Sequence, residues 1–154
     1  MAFLMKSAIF ERGEKGLLLE TGRLRVGLSI CEDIWLPESF TYREPYKEHC
    51  SLILNISASP YHIGKWKERH KLVKALAKKT GAFASYLNLV GGQDELVFDG
   101  GSFIASPDGR IVAHAKYLEE DFLVADLELP ERAGHLFASY PNEYRTLTFK
   151  PKAS

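Results

Sequence analysis

The stretch RVGLSICEDIW, residues 25–35, sets one thiol between an apolar alternation and two carboxylates. Val26, Leu28 and Ile30 alternate with Gly27 and Ser29, which is the period of a strand. Cys31, Glu32 and Asp33 follow at once. A cysteine where a strand stops is well placed to be a nucleophile. A sharp turn there exposes the sulfur and frees the next backbone N–H groups to hold a developing oxyanion. Such a thiol also needs a cation, a helix N-terminus or a base to favour its thiolate. The competing reading is a buried structural cysteine, and position alone leaves both open. Cys50 precedes the apolar run SLILNIS, has no such context, and reads as core.

Other polar residues offer themselves as partners. Glu32 and Asp33 could orient a substrate amine or cap a short helix. Asn55, Ser57, Ser59 and Tyr61 surround Pro60 in NISASPYH, where they could line a polar pocket or serve only the turn. His62 and His70 are candidate bases for a Cys–His pair. Neither has a recognisable partner, and His70, in a lysine-rich segment, reads as a solvated surface histidine. GGQDELVFDGG, residues 91–101, is too glycine-rich and acidic for a strand core. It lacks the spacing of a phosphate-binding loop, and its negative charge argues against one.

These residues need elements to position them. LLLETGRLRVGLSIC reads as a hairpin, with a strand at residues 17–20, a turn at Thr21 and Gly22, and a strand ending at Cys31. Residues 37–50 read as loop, then short helix. SLILNIS, residues 51–57, is a continuous apolar run, the pattern of a strand buried on both faces. The clearest helix is KWKERHKLVKALAKKTG, residues 65–81. Trp66, Val73 and Ala77 fall on one face beside Leu72 and Leu76, with lysines and Arg69 on the other. Gly81 supplies its stop. FASYLNLV, SFIAS, RIVAHA and FLVADLEL read as strands, and the tail from Pro130 as coil or an arm. Strands alternating with helices predict an α/β fold with a mixed sheet. Cys31, residues 57–61 and residues 88–94 then lie at strand ends, where reactive residues collect.

The 154 residues fit one domain with a sizeable core, and 45% of them are hydrophobic. The 20 basic and 20 acidic residues cancel, which argues against nucleic acid or an anionic membrane as partner. Two cysteines make no disulfide framework, and no CxxC or Cys/His cluster suggests zinc. A reducing, cytoplasmic setting is the simpler expectation. The start shows no signal peptide, and no run is long enough to span a membrane.

GLSICEDIW, LILNISASPYHIGK and YLNLVGGQDELVFDGGSFIASPDG, in that order, resemble successive motifs of the nitrilase (carbon–nitrogen hydrolase) superfamily. GGQDELVFDGGS makes the glutamine-hydrolysing amidase domain of glutamine-dependent NAD synthetase the nearest branch. The resemblance spans roughly residues 17–128. It implies part of an αββα sandwich with mixed β-sheets and a Glu–Lys–Cys triad acting on the side-chain amide of glutamine. On that resemblance Cys31 is the nucleophile and the Glu32 N–H an oxyanion donor. The Glu32 side chain, Ser57, Ser59 and Tyr61 recognise the glutamine head group. No cofactor belongs to such a domain; ATP belongs to the separate synthetase domain, which takes the ammonia to make NAD.

The departures carry consequences. The family places its Glu and Lys far upstream of the cysteine, and only 30 residues precede Cys31 here. Lys6 and Glu11 sit in a stretch that does not match the motifs and receive no triad role. The expected organisation is an irregular, non-matching N-terminus over 1–16, a partial carbon–nitrogen hydrolase domain over 17–129 and a C-terminal arm over 130–154. That is the second half of an amidase domain, as from a truncated gene product or a reading frame begun too far downstream. Activity alone is expected to be impaired, since general-base catalysis is typically worth about 10²–10⁴-fold. Missing strands would leave apolar rows uncovered, so the expected partners are the missing half, a synthetase domain or a second copy. The alternative is a non-catalytic interaction module or a remnant that keeps the fold.

Overall fold

The computed structural model describes residues 15–21, 24–36, 38–42, 46, 50–130 and 144–148. Lys6, Glu11 and residues 131–143 of the expected C-terminal arm lie outside the described residues. The first hairpin forms as its alternation predicts, from β1 (Gly16–Thr21) and β2 (Leu24–Ile30). The run after Cys50 becomes β3 (Leu52–Ser57), the lysine-rich segment α1 (Lys65–Thr80), and FASYLN β4 (Phe83–Asn88). A hairpin of β5 (Val90–Gln93) and β6 (Leu96–Asp99) follows, then β7 (Phe103–Ala105), β8 (Ile111–His114) and β9 (Tyr144–Thr148).

Seven strands form one mixed sheet in the order β8–β7–β4–β3–β2–β1–β9. Its centre, β2–β3–β4, is parallel. The C-terminal ends of these strands therefore lie along one edge, and Ile30, Ser57 and Asn88 finish there.

Register decides what each face carries. One row runs Leu18, Gly27, Ile53, Ala84, Ala105 across five strands. α1 covers this row with Val73, Leu76 and Ala77, and together they make the core. Gly27 is required in it: a Cβ there would stand 2.4 Å from the Tyr46 ring and 3.0 Å from Cys50 Sγ. Tyr46 is fully buried, and its hydroxyl reaches the carbonyl oxygens of Leu17 and Leu28 at 2.9 and 2.7 Å. Cys50 is core, as its context predicts.

The opposite face is apolar and open among the described residues. Ile30, Ile56 and Leu87 are register partners and are 68%, 53% and 54% exposed. The central run is thus buried on one face only, unlike the two-sided burial that its composition predicts.

Several elements differ from expectation. Trp66 is 42% exposed, while Arg69 is buried with Val73, Leu76, Ala77 and Thr80. These positions form an i, i+4, i+7, i+8, i+11 stripe, so helical geometry puts Arg69 on the core side. GGQDELVFDGG contributes both strands of a hairpin, turned at Asp94 with φ 52°. FLVADLEL forms no strand, and among the described residues no strand pairs with it. From the tail, β9 pairs in parallel with β1. His70 is half-buried at the surface rather than fully solvated, with its ring 4.5 Å from Phe103 and 5.5 Å from His114.

Candidate active site

Cys31 stands directly past β2 in the left-handed region, at φ 46°. Only glycine enters that region without steric cost, so the backbone here is held by its surroundings. What holds it is local. Residues Cys31–Ile34 form a single 3-10 turn, and the Asp33 carboxylate accepts a hydrogen bond from the Ile30 N–H at 2.7 Å. Of the two acids, Asp33 is thus the cap. Lys65 at the start of α1 lies 3.9 Å from the centroid of the Trp35 ring, which ties the helix to this turn. Cys31 itself is half-buried, in contrast to fully buried Cys50.

Beneath the turn runs a second row on the helix side: Ser29, Asn55, Tyr86, Phe103, His114. Its polar members make a chain. The Asn55 amide donates to Ser29 Oγ at 3.0 Å and to the Cys31 carbonyl at 3.5 Å. Ser57 Oγ donates to Asn55 Oδ1 at 2.7 Å. The Tyr86 hydroxyl comes next, buried and without a hydrogen-bond partner. Burial pushes this phenol up, and the proximity of Cys31 pushes the same way. The charge of Arg69 nearby pulls it part of the way down.

The loop after β3 is fixed at both sides of Ser59. Asn88 Oδ1 accepts from the Ser59 N–H at 3.0 Å, and Arg69 Nη2 donates to the Ser59 carbonyl at 2.9 Å. Arg69 Nη1 meets Asp99 at 2.6 Å, both side chains being almost fully buried. Asp99 also accepts from the Asn88 amide at 3.3 Å. Tyr61 is half exposed, and its N–H donates to the Val97 carbonyl at 2.7 Å in the β5–β6 hairpin.

Cys31, Asn55, Ser57 and Ser59 are therefore brought to one edge of the sheet, with Tyr61 at its rim. The hydroxyls of Ser57 and Ser59 point into the protein's own network. His62 is exposed, with its ring at the Ile63 carbonyl, and His70 belongs to a separate cluster on Tyr117 and His114. A groove of about 440 Å³ on the outer side of α1, lined by Trp66, His70 and lysines, shares none of the strand-end residues. Among the described residues, no three His, Cys, Asp or Glu side chains gather as a metal site, and no helix is long and apolar enough to cross a membrane. Sequence reasoning missed Arg69, Asp99 and Tyr86. The readable signal was an arginine in register with an apolar helical stripe.

The carbon–nitrogen hydrolase family model matches residues 4–134. The glutamine-dependent NAD(+) synthetase of Aquifex aeolicus is 46% identical over 122 residues, which are 79% of this chain and 21% of that protein. The chain thus spans about a fifth of the length of the curated relatives it matches. The structure of glutamine-dependent NAD+ synthetase from Acinetobacter baumannii superposes with a TM-score of 0.71 at 30% identity, over 84% of this chain and 25% of that one. An amidase from Nesterenkonia sp. AN1 superposes with a TM-score of 0.68 at 27% identity, over 79% of this chain and 46% of that one. That structure shows the result of Michael addition of acrylamide at its active-site cysteine. Motif order, sheet topology and these matches agree, and the chain belongs to the carbon–nitrogen hydrolase family.

Proposed function

We propose that this chain carries the nucleophile half of a glutamine amide hydrolase that supplies ammonia for NAD synthesis. The observation that carries the reading is Cys31 at φ 46°, held at the common edge of three parallel strands. Its sulfur adds to the side-chain carbonyl carbon of glutamine. The Glu32 N–H receives the developing oxyanion, a contact of a kind worth about 10²–10³-fold in turnover. The amide nitrogen takes a proton and leaves as ammonia, and water then cleaves the glutamyl thioester to glutamate. The Glu32 side chain, Ser57, Ser59 and Tyr61 form the head-group region. Ser57 and Ser59 do so through the path of their loop, since their hydroxyls are engaged internally. The ammonia passes to an ATP-using synthetase domain, and this domain needs no cofactor of its own.

On this reading the general base and cation that the resemblance implies come from outside the described residues, and the strand-end site turns over slowly without them. The partner surface is the bare row of Ile30, Ile56 and Leu87, which also serves association with a second copy. A glutaminase assay on the purified chain, alone and mixed with the complementary half of a relative, tests it. Ammonia release that rises on mixing and vanishes with Cys31→Ser is the expected result. The bare row also favours a second reading, a non-catalytic module that docks through this face. Stable binding of the complementary half with no ammonia release from any mixture selects that one.

A further inference from the structure

We propose that Arg69 is a positioning residue for the loop of residues 58–61. Its guanidinium sets where the site's recognition segment stands; this rests on the proposed reading of that loop. Arg69 is 2% exposed, yet its fork is spent on the loop as well as on its counter-ion. Nη1 donates to Asp99 at 2.6 Å, while Nη2 donates to the carbonyls of Ser59 at 2.9 Å and Pro60 at 3.2 Å and to Ser59 Oγ at 3.3 Å. Nε has no partner, so the contacts on the loop are kept while another buried donor goes unmet.

The arrangement joins three places far apart in the chain. Asp99 ends β6 and accepts from Asn88, which ends β4. Asn88 in turn accepts the Ser59 N–H and donates to the Gly100 carbonyl at 3.1 Å. The Ser59 peptide is therefore gripped on its N–H side from β4 and on its carbonyl side from α1. Charge-assisted bonds in a buried setting are the stronger kind, and a planar fork fixes direction as well as distance. A well-packed apolar pair would serve stability as well as a buried ion pair does. What an apolar pair could not do is hold two loop carbonyls.

The test uses two variants of the whole chain. Arg69→Met combined with Asp99→Asn removes both charges while leaving Asn88 an acceptor. Arg69→Lys keeps the charge but loses the fork. Each is compared with wild type for melting temperature, for amide exchange at Ser59 and Tyr61, and for Cys31 labelling by a chloroketone analogue of glutamine against iodoacetamide. The expected result is a variant that melts like wild type, exchanges those amides about 10-fold faster, and needs about 10-fold more chloroketone for half-saturation at an unchanged limiting rate. Iodoacetamide labelling stays at the wild-type rate. If wild type labels saturably and both variants keep its half-saturation and exchange rates, the ion pair is structural only and the inference falls while the glutamine reading stands. If wild type shows no saturation with the chloroketone, the glutamine reading fails. Exchange at Ser59 and Tyr61 then decides the positioning role by itself, with unchanged rates overturning it.

Discussion

The carboxylate of Asp33 accepts the backbone N–H of Ile30 at 2.7 Å, spanning Cys31 at φ 46° between them. The cap and the left-handed residue form one device. The strand's last N–H is satisfied by a side chain three residues on, and the chain folds sharply over the thiol. Asp33→Ala should cost about 1 kcal/mol, the usual value of a lost cap. Cys31→Gly should be more stable than Cys31→Ala by about 1 kcal/mol, since glycine alone enters this region freely. Urea denaturation of the three variants measures both. Equal stability of the Gly and Ala variants would show that the turn is not strained.

Removing one partner of the Arg69–Asp99 pair should be severe. Both side chains are nearly fully buried, so Arg69→Met by itself leaves an uncompensated interior carboxylate. The expected loss is about 3–5 kcal/mol, against about 0–1 kcal/mol for an exposed pair. Equilibrium unfolding distinguishes the two ranges.

The His70 cluster should make the fold sensitive to mild acid. Burial first, then the charges of His114, Lys74 and Arg69, hold the His70 imidazole below its ordinary value. As pH falls through about 6.5 the unfolded chain takes up this proton before the folded one does, so stability falls with it. The loss levels off once pH is below the folded value. His70→Gln should flatten this part of the profile. Melting temperatures from pH 8 to pH 5 provide the check, and a wild-type curve as flat as the variant's would contradict the sign.

The apolar row of Ile30, Ile56 and Leu87 should drive association of the lone chain. An open apolar surface of more than a few hundred Å² is unusual for a monomer. Sedimentation over a concentration series is expected to show a concentration-dependent rise in mass, and Ile56→Lys with Leu87→Lys should return the chain towards monomer. A wild-type monomer at every concentration refutes this.

The features legible in residue order were local. Alternation in RVGLSI and a cysteine followed by two acids were enough to place the end of a strand at Cys31, one residue past its observed end at Ile30, where the turn begins. The helix, with Gly81 as its stop at φ 63°, was equally legible, because periodicity and glycine's freedom act over a few residues. So was the gathering of Cys31, Ser57 and Asn88 at strand ends. What those ends touch depends on packing between segments far apart in the chain. Arg69 looks like one more cation of a lysine-rich helix until Asp99, 30 residues later, arrives as its counter-ion. FLVADLEL has the composition of a strand but, among the described residues, no neighbour to complete its ladder, whereas acidic, glycine-rich GGQDELVFDGG pairs with itself. Tyr86 lies unbonded beside Asn55 because register, not spacing along the chain, set the two together. Burial of a charge and pairing of a strand both depend on partners distant in sequence, and residue order shows a partner's type without showing which one arrives.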